Sequence, residues 1–272
     1  MKLLTLNTHS LIEPQYEAKR AAFVDFVAAA RPDVFALQEV NQTAAAPQLT
    51  DIPGGWFACP GCTVPLKADN HAAAVARLLA EKGVAYHWCW LPAKIGYDKY
   101  DEGMAVFCLA PITAAEGLLL STCDDYTYWK TRRALGVCVG DAWYYSVHMG
   151  WWNDTEEPFV AQWQRLDAAA KAKGKAFLLG DFNSEADVRA EGYDLIASSG
   201  WQDTYRLART RDDGYTVTQA IDGWRDAPDA AAKKRIDQIW CSQPVSVQSS
   251  RVVFNGQHEP QVSDHAGIML EL

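Results

Sequence analysis

Apolar residues fall into two rhythms along this chain. Short apolar runs bounded by glycine, proline or polar clusters occur at 2–8, 34–37, 84–90, 104–109, 134–139, 143–147, 176–179, 236–241, 251–254 and 266–270. They read as buried strands. Between them, apolar positions three and four apart predict helices. Ala18, Ala22, Phe26 and Ala29 share a stripe over 17–30. Arg31-Pro32 ends it, because the residue before proline is driven out of helical space. Asn70 caps a helix over 71–81 that Gly83 closes. Phe159, Trp163, Leu166 and Ala170 mark another over 154–173, and a further helix covers 185–198. The strands 134–139 and 143–147 read as a hairpin about Gly140-Asp141. The thirty residues after Glu39, the polar stretch 95–103 and the segment 203–234 are expected to be irregular. With no repeat, low-complexity tract or linker, one domain over 1–272 of the α/β (α+β) class is the expectation.

Composition narrows the partners. Hydrophobic residues make up 49% of the 272, ample for a large core, and the net charge is -9. The basic groupings, Lys130 to Arg133 and Lys233 to Arg235, are short. That balance disfavours a nucleic-acid partner, which leans on clustered lysine and arginine. No apolar window is long enough for a membrane span, and the first residues lack a signal-peptide pattern. Seven scattered cysteines suit a reduced, cytoplasmic setting. Cys59-Pro60-Gly61-Cys62 lies in a proline- and glycine-rich loop without the second pair a structural zinc site needs.

The chemistry sits where the strands stop. Gly180-Asp181-Phe182-Asn183 follows the run 176–179, and on extended backbone its carboxylate and carboxamide share a side. A plain turn with Asp and Asn is the alternative reading. Asn7, Glu39, His148, Asp237, Asp264 and His265 also stand at strand edges. If these strands share sheets, the groups gather at one rim. An oxygen-rich cluster without cysteine suits Mg²⁺ or Mn²⁺ and phosphoryl chemistry.

In order, the matches are Asn7 in Thr5-Leu6-Asn7-Thr8, Glu39 in Leu37-Gln38-Glu39-Val40, His148 in Ser146-Val147-His148, then Gly180-Asp181-Phe182-Asn183, Arg235-Ile236-Asp237 and Ser263-Asp264-His265. This series resembles the endonuclease/exonuclease/phosphatase superfamily, with the DNase I-like fold. The resemblance spans 7–265 and implies a four-layer α/β/β/α sandwich, two packed mixed β-sheets flanked by helices, with the site at one edge. It implies a metal-dependent phosphoesterase in which Glu39 holds Mg²⁺ or Mn²⁺ with Asn7 and Asp264 nearby. Asp181 and Asn183 would position and deprotonate a water. His148 and His265 would contact phosphate, and Asp237 would orient His265.

The loops 94–103, 126–133 and 148–153, with the start 3–10, resemble the bacterial maltose 6'-phosphate phosphatase subgroup. A small sugar phosphate is therefore the expected substrate, with Trp152, Lys130, Arg132 and Tyr100 as candidate binding residues. Trp129 and Trp151 could stack on a sugar ring, and Asp98, Asp101 and Glu102 could bond its hydroxyls. A magnesium-dependent exo- or endonuclease is the alternative, and an idle binding module is a third. No membrane or obligate protein partner is expected.

Overall fold

The computed structural model describes residues 1–221 and 232–272. In chain order its strands are β1 (Lys2–Asn7), β2 (Val34–Thr43), β3 (His87–Gly96), β4 (Tyr100–Cys108), β5 (Ala114–Leu119), β6 (Arg133–Val139) and β7 (Ala142–His148). These are followed by β8 (Ala176–Asp181), β9 (Gln202–Asp203), β10 (Thr210–Arg211), β11 (Asp237–Cys241), β12 (Ser249–Val253) and β13 (Gly267–Glu271). The helices are α1 (Tyr16–Ala30), α2 (His71–Glu81), α3 (Phe159–Lys171), α4 (Gly192–Ser198) and α5 (Thr204–Leu207).

Two mixed sheets face each other, one ordered β10-β12-β13-β1-β2-β4-β3 and the other β5-β6-β7-β8-β11-β9. Leu3, Ala36, Val106, Val137, Leu179 and Ile239 interleave between them. On the outer face of the seven-stranded sheet, Phe23, Val27 and Leu79 of α1 and α2 meet Phe35 and Phe107. On the outer face of the six-stranded sheet, Phe159, Trp163, Leu166 and Ile196 of α3 and α4 meet Tyr145 and Trp240. The central strands thus bury both faces, which is why their sequences read as continuous apolar runs. The layers are helix, sheet, sheet, helix, as expected.

Several boundaries differ. β2 does not stop at Leu37 but continues to Thr43, with a bulge where pairing to β4 jumps from Leu37–Ala105 to Val40–Gly103. Residues 95–103 are a tight hairpin rather than a loop: Gly96 pairs with Tyr100, and Tyr97 and Asp98 take up the turn at φ 53°. β3 begins at His87 instead of 84, α3 at Phe159 instead of 154, and α4 at Gly192 instead of 185. β5 was not expected; its half-exposed residues carry no clean alternation. Within 203–221 the chain forms two short strand pieces and one helical turn, while 222–231 of that expected irregular segment lie outside the described residues. No helix among the described residues is long and apolar enough to cross a membrane.

Candidate active site

Strand register gathers the polar ends. β7 runs parallel to β8 with His148 opposite Asp181, and β11 runs antiparallel to β8 with Asp237 opposite Asp181. In the facing sheet, β1 runs parallel to β2 with Asn7 opposite Gln38. Gln38 then ties the sheets together, its amide donating to Ser146 Oγ at 2.9 Å and to the Leu179 carbonyl at 3.3 Å. Gly180 permits the close approach of β8 to β7: at φ 153° its missing Cβ would lie 1.9 Å from the Val147 carbonyl oxygen.

The β2 bulge aims Glu39. The residue sits at φ 51°, a left-handed conformation that costs a non-glycine residue about 1 kcal/mol or more and that clusters at functional sites. Extra residues in bulges re-aim side chains in this way. Asn7 Nδ2 donates to Glu39 Oε1 at 2.8 Å and to Asp181 Oδ2 at 3.3 Å, so one amide joins the carboxylates of both sheets.

Asp181 and Asn183 are held together differently from the expected shared strand face. Asn183 turns out of the strand at φ 46°, and its backbone N–H donates to Asp181 Oδ1 at 2.8 Å. Its side-chain amide donates to the Met149 carbonyl at 2.9 Å. The turn reading therefore holds, and this Asx-type turn locks the carboxylate.

Two histidines flank Asp181 Oδ2, His148 Nε2 at 3.6 Å and His265 Nε2 at 3.9 Å. Their charges diverge. Burial pushes His148 well below its ordinary pKa, and the Arg132 and Lys94 cations push it further. Burial is also the largest influence on His265 and opposes its charge, but Asp237, Asp181 and Asp264 together outweigh it and hold the ring well above the usual range. The Asp237 Oδ2 to His265 Nδ1 contact is 2.9 Å, with both side chains buried. It fixes which nitrogen faces the site. Burial first, then the Asp237 charge, raises Asp181 to about 6. Burial first, then Glu102, raises Glu39 to about 7.

Asp264 sits beside this cluster. Its backbone N–H donates to Glu13 Oε1 at 3.0 Å, and Glu13 also accepts from His9 Nδ1 at 2.8 Å. Burial opposes charge on His9, yet the Glu13 hydrogen bond with the Asp264 and Glu39 charges raises it to about 9. His9 with Glu13 and Asp264, and Asp181 with Asp237 and His265, each bring three ligand atoms within 4.8 Å of one another. Glu39 is a carboxylate crowded by the carboxylates of Glu102 and Asp264, and a divalent cation would relieve that repulsion. These oxygen and imidazole donors fit Mg²⁺ or Mn²⁺.

The constellation opens into a cleft of about 360 Å³ whose lining includes Glu39, His148, Asp181, Asn183 and His265. Lys94, Glu102, Trp129, Arg132 and Trp151 also line it. The structure thus brings together Asn7, Glu39, His148, Asp181, Asn183, Asp237, Asp264 and His265. Of the four residues expected around the substrate, only Arg132 lines the cleft. Trp152 turns the other way and packs edge-on against Phe159, centroids 5.7 Å apart. Lys130 is taken up by Asp154 at 2.8 Å and by Glu156. Tyr100 is buried in β4, its hydroxyl accepting from Lys99 Nζ at 2.9 Å. Asp98 is exposed at the hairpin tip, and Asp101 accepts from Gln42 and Tyr126, so Glu102 alone of the three acids reaches the cleft.

Three wall and rim residues escaped sequence reasoning. Lys94 stands inside the apolar strand β3, and a lone lysine there was the available signal. Its ammonium pairs with Glu102 at 3.3 Å and donates to the Trp129 carbonyl at 2.6 Å. His9 and Glu13 are in a loop and a 3₁₀ cap with no periodic signal.

The Endonuclease/Exonuclease/phosphatase family model matches residues 4–265. An endonuclease/exonuclease/phosphatase family protein from Leptotrichia buccalis C-1013-b is 30% identical, covers 100% of this chain and 98% of its own, and superposes with a TM-score of 0.87. Lower in identity, a mannosyl-6-phosphatase from Bacteroides thetaiotaomicron VPI-5482 (17%, TM-score 0.65, 100% and 98% covered) shares the fold. So does a 3'-5' exonuclease from Neisseria Meningitidis (20%, TM-score 0.64, 100% and 99% covered). No curated protein matches at a significant level. Together with the two-sheet fold and the strand-end cluster, the family model and the Leptotrichia relative establish that the chain belongs to the endonuclease/exonuclease/phosphatase family of phosphoric-ester hydrolases.

Proposed function

We propose that this chain is a divalent-metal-dependent phosphatase that releases phosphate from a small sugar phosphate. The carrying observation is the site itself: Asp181, bonded by Asn7 and Asn183, lies between a neutral and a cationic imidazole at the floor of a 360 Å³ cleft. That volume suits a small molecule rather than a duplex. Bound Mg²⁺ or Mn²⁺, held by Glu39 with Asn7 and Asp264 beside it, would neutralise charge on the phosphate oxygens.

The chain's own groups divide the remaining work. Asp181 Oδ2 accepts the proton of the attacking water, while the Asn183 N–H on Oδ1 and the Asn7 amide keep the carboxylate fixed. Charged His265, oriented by Asp237, donates from Nε2 to a phosphate oxygen, where a preorganised donor is most effective. His148 offers a neutral ring next to the same oxygen of Asp181. Aromatic faces of Trp151 and Trp129 along the wall suit the apolar face of a sugar ring.

A phosphate-release screen with Mg²⁺ tests this reading, setting glucose 6-phosphate, trehalose 6-phosphate, maltose 6'-phosphate and mononucleotides against single- and double-stranded DNA. Sugar phosphates should be turned over, EDTA should abolish the activity, and added metal should restore it. Preference for DNA, with affinity falling steeply as salt rises through counterion release, would replace the phosphatase by a nuclease.

A further inference from the structure

One cation lining the cleft makes no ion pair in contact. Arg132 immediately precedes β6 with its backbone pinned on both sides. Its N–H donates to Ser121 Oγ at 2.9 Å, and its carbonyl accepts from the Leu120 N–H at 2.9 Å. The side chain is 4% exposed, and its guanidinium lies 5.4 Å from the centroid of the Trp151 ring. Among the described residues it makes no ion pair and no side-chain hydrogen bond. Its neighbours differ. Lys94 is answered by Glu102, Lys130 by Asp154 and Glu156, and Arg133 by Asp124. The indole N–H of Trp151 beneath the guanidinium is likewise buried without an acceptor. A desolvated, unpaired guanidinium destabilises the folded chain. The carboxylates of Glu102, Asp181 and Glu39 act on it without contacting it, so its donors are left for what enters the cleft.

The number of free oxygens says which anion. His265 lines the cleft, its Nδ1 held by Asp237, and its other nitrogen can take one phosphate oxygen. Arg132 lines the same cleft, its planar fork matched to two oxygens of one phosphoryl group. A phosphomonoester near neutral pH carries about 1.5 to 2 negative charges, its second pKa being about 6. A diester carries one and keeps only two unesterified oxygens, one fewer than His265 and the fork would take together. We propose that Arg132 is a specificity-determining residue that reads the second negative charge of a phosphomonoester, setting a preference for monoester dianions over diester monoanions. The inference rests on the phosphatase reading and names the residue that separates it from diesterase chemistry.

The test uses two substrates with one leaving group, p-nitrophenyl phosphate and methyl p-nitrophenyl phosphate, with Mg²⁺ and the full chain. Arg132→Gln should lower kcat/KM for the monoester by about a hundredfold and for the diester by less than about fivefold. Arg132→Lys keeps the charge without the fork and should recover part of the monoester loss. Circular dichroism melts check that each variant folds, and the lysine variant carries the test alone if the glutamine variant does not. Equal losses on both substrates, or a monoester-to-diester ratio that neither variant changes, would overturn the role of Arg132 and leave the phosphatase reading standing. A wild-type enzyme that prefers the diester would overturn both.

Discussion

Replacing Asp237 by Asn isolates the charge on His265. The two side chains meet at 2.9 Å with almost no exposure, and the imidazole is held charged against a desolvation effect that is the largest single influence on it. At an effective dielectric of about 20, unit charges about 4 Å apart attract by about 4 kcal/mol, or about three pH units. Removing the Asp237 charge leaves burial to prevail, and His265 becomes neutral near pH 7. Asn keeps the shape and can still accept from Nδ1, so the fold should survive. The cost is about 1–3 kcal/mol, because Asp237 Oδ1 has no partner for an amide placed there. Losing one charged donor to a developing oxyanion costs about 10²–10³ in kcat. The assay pairs kcat with the ¹⁵N shifts of the His265 ring in metal-free protein. The sign is fixed by the raised pKa: stability contributed by the charged ring is complete below the unfolded value of about 6.5 and lost only as pH rises through the much higher folded value. Wild type should stay charged above pH 6.5, whereas the variant should charge only as pH falls. A variant ring still charged at pH 7.5, or kcat within threefold of wild type, would refute the reasoning.

Other outcomes follow from the same geometry. Asp181→Asn should lower kcat by about 10²–10⁴ yet raise stability in EDTA by up to about 3 kcal/mol at pH 7, because a carboxyl lifted to about 6 by burial is strained when ionised; a lower melting temperature would count against this. Trp152→Ala should lower stability by about 2–3 kcal/mol through lost packing on Phe159 while leaving KM within twofold; a raised KM with an unchanged melt would return Trp152 to the substrate. Burial depresses His71 to about 3, so the folded state keeps it neutral, and stability present above pH 6.5 is lost as pH falls. At pH 4.5 that amounts to about 2–3 kcal/mol, and urea midpoints of His71→Gln should drop less between pH 7 and 4.5 than those of wild type; equal drops would assign the acid sensitivity elsewhere.

Much of this protein is written in local pattern. Buried strands and amphipathic helices are legible because apolar spacing of two or near four is a property of neighbouring residues, and β1, β8, α1 and α2 lie close to where the pattern puts them. The strand-end carboxylates and imidazoles are legible for the same reason: a polar residue closing an apolar run needs no partner to be noticed. What local pattern does not contain is which way a side chain points once the backbone leaves regular geometry. Glu39 faces the site because a bulge inserts a residue within β2, and Asn183 holds Asp181 because it turns at positive φ. Trp151 lines the cleft while its neighbour Trp152 enters the core, a choice made by Phe159 on α3. Charge is decided at longer range still. His148 and His265 are the same residue type, and only the groups that register and sheet packing place around them, Arg132 and Lys94 on one side and Asp237 on the other, make one neutral and the other cationic. The chain by itself thus specified most of its strands and helices and its reactive residue types, while the layer order was legible only through the family resemblance. Tertiary structure settled their orientation and protonation, because both depend on desolvation and on charges contributed by residues distant in sequence.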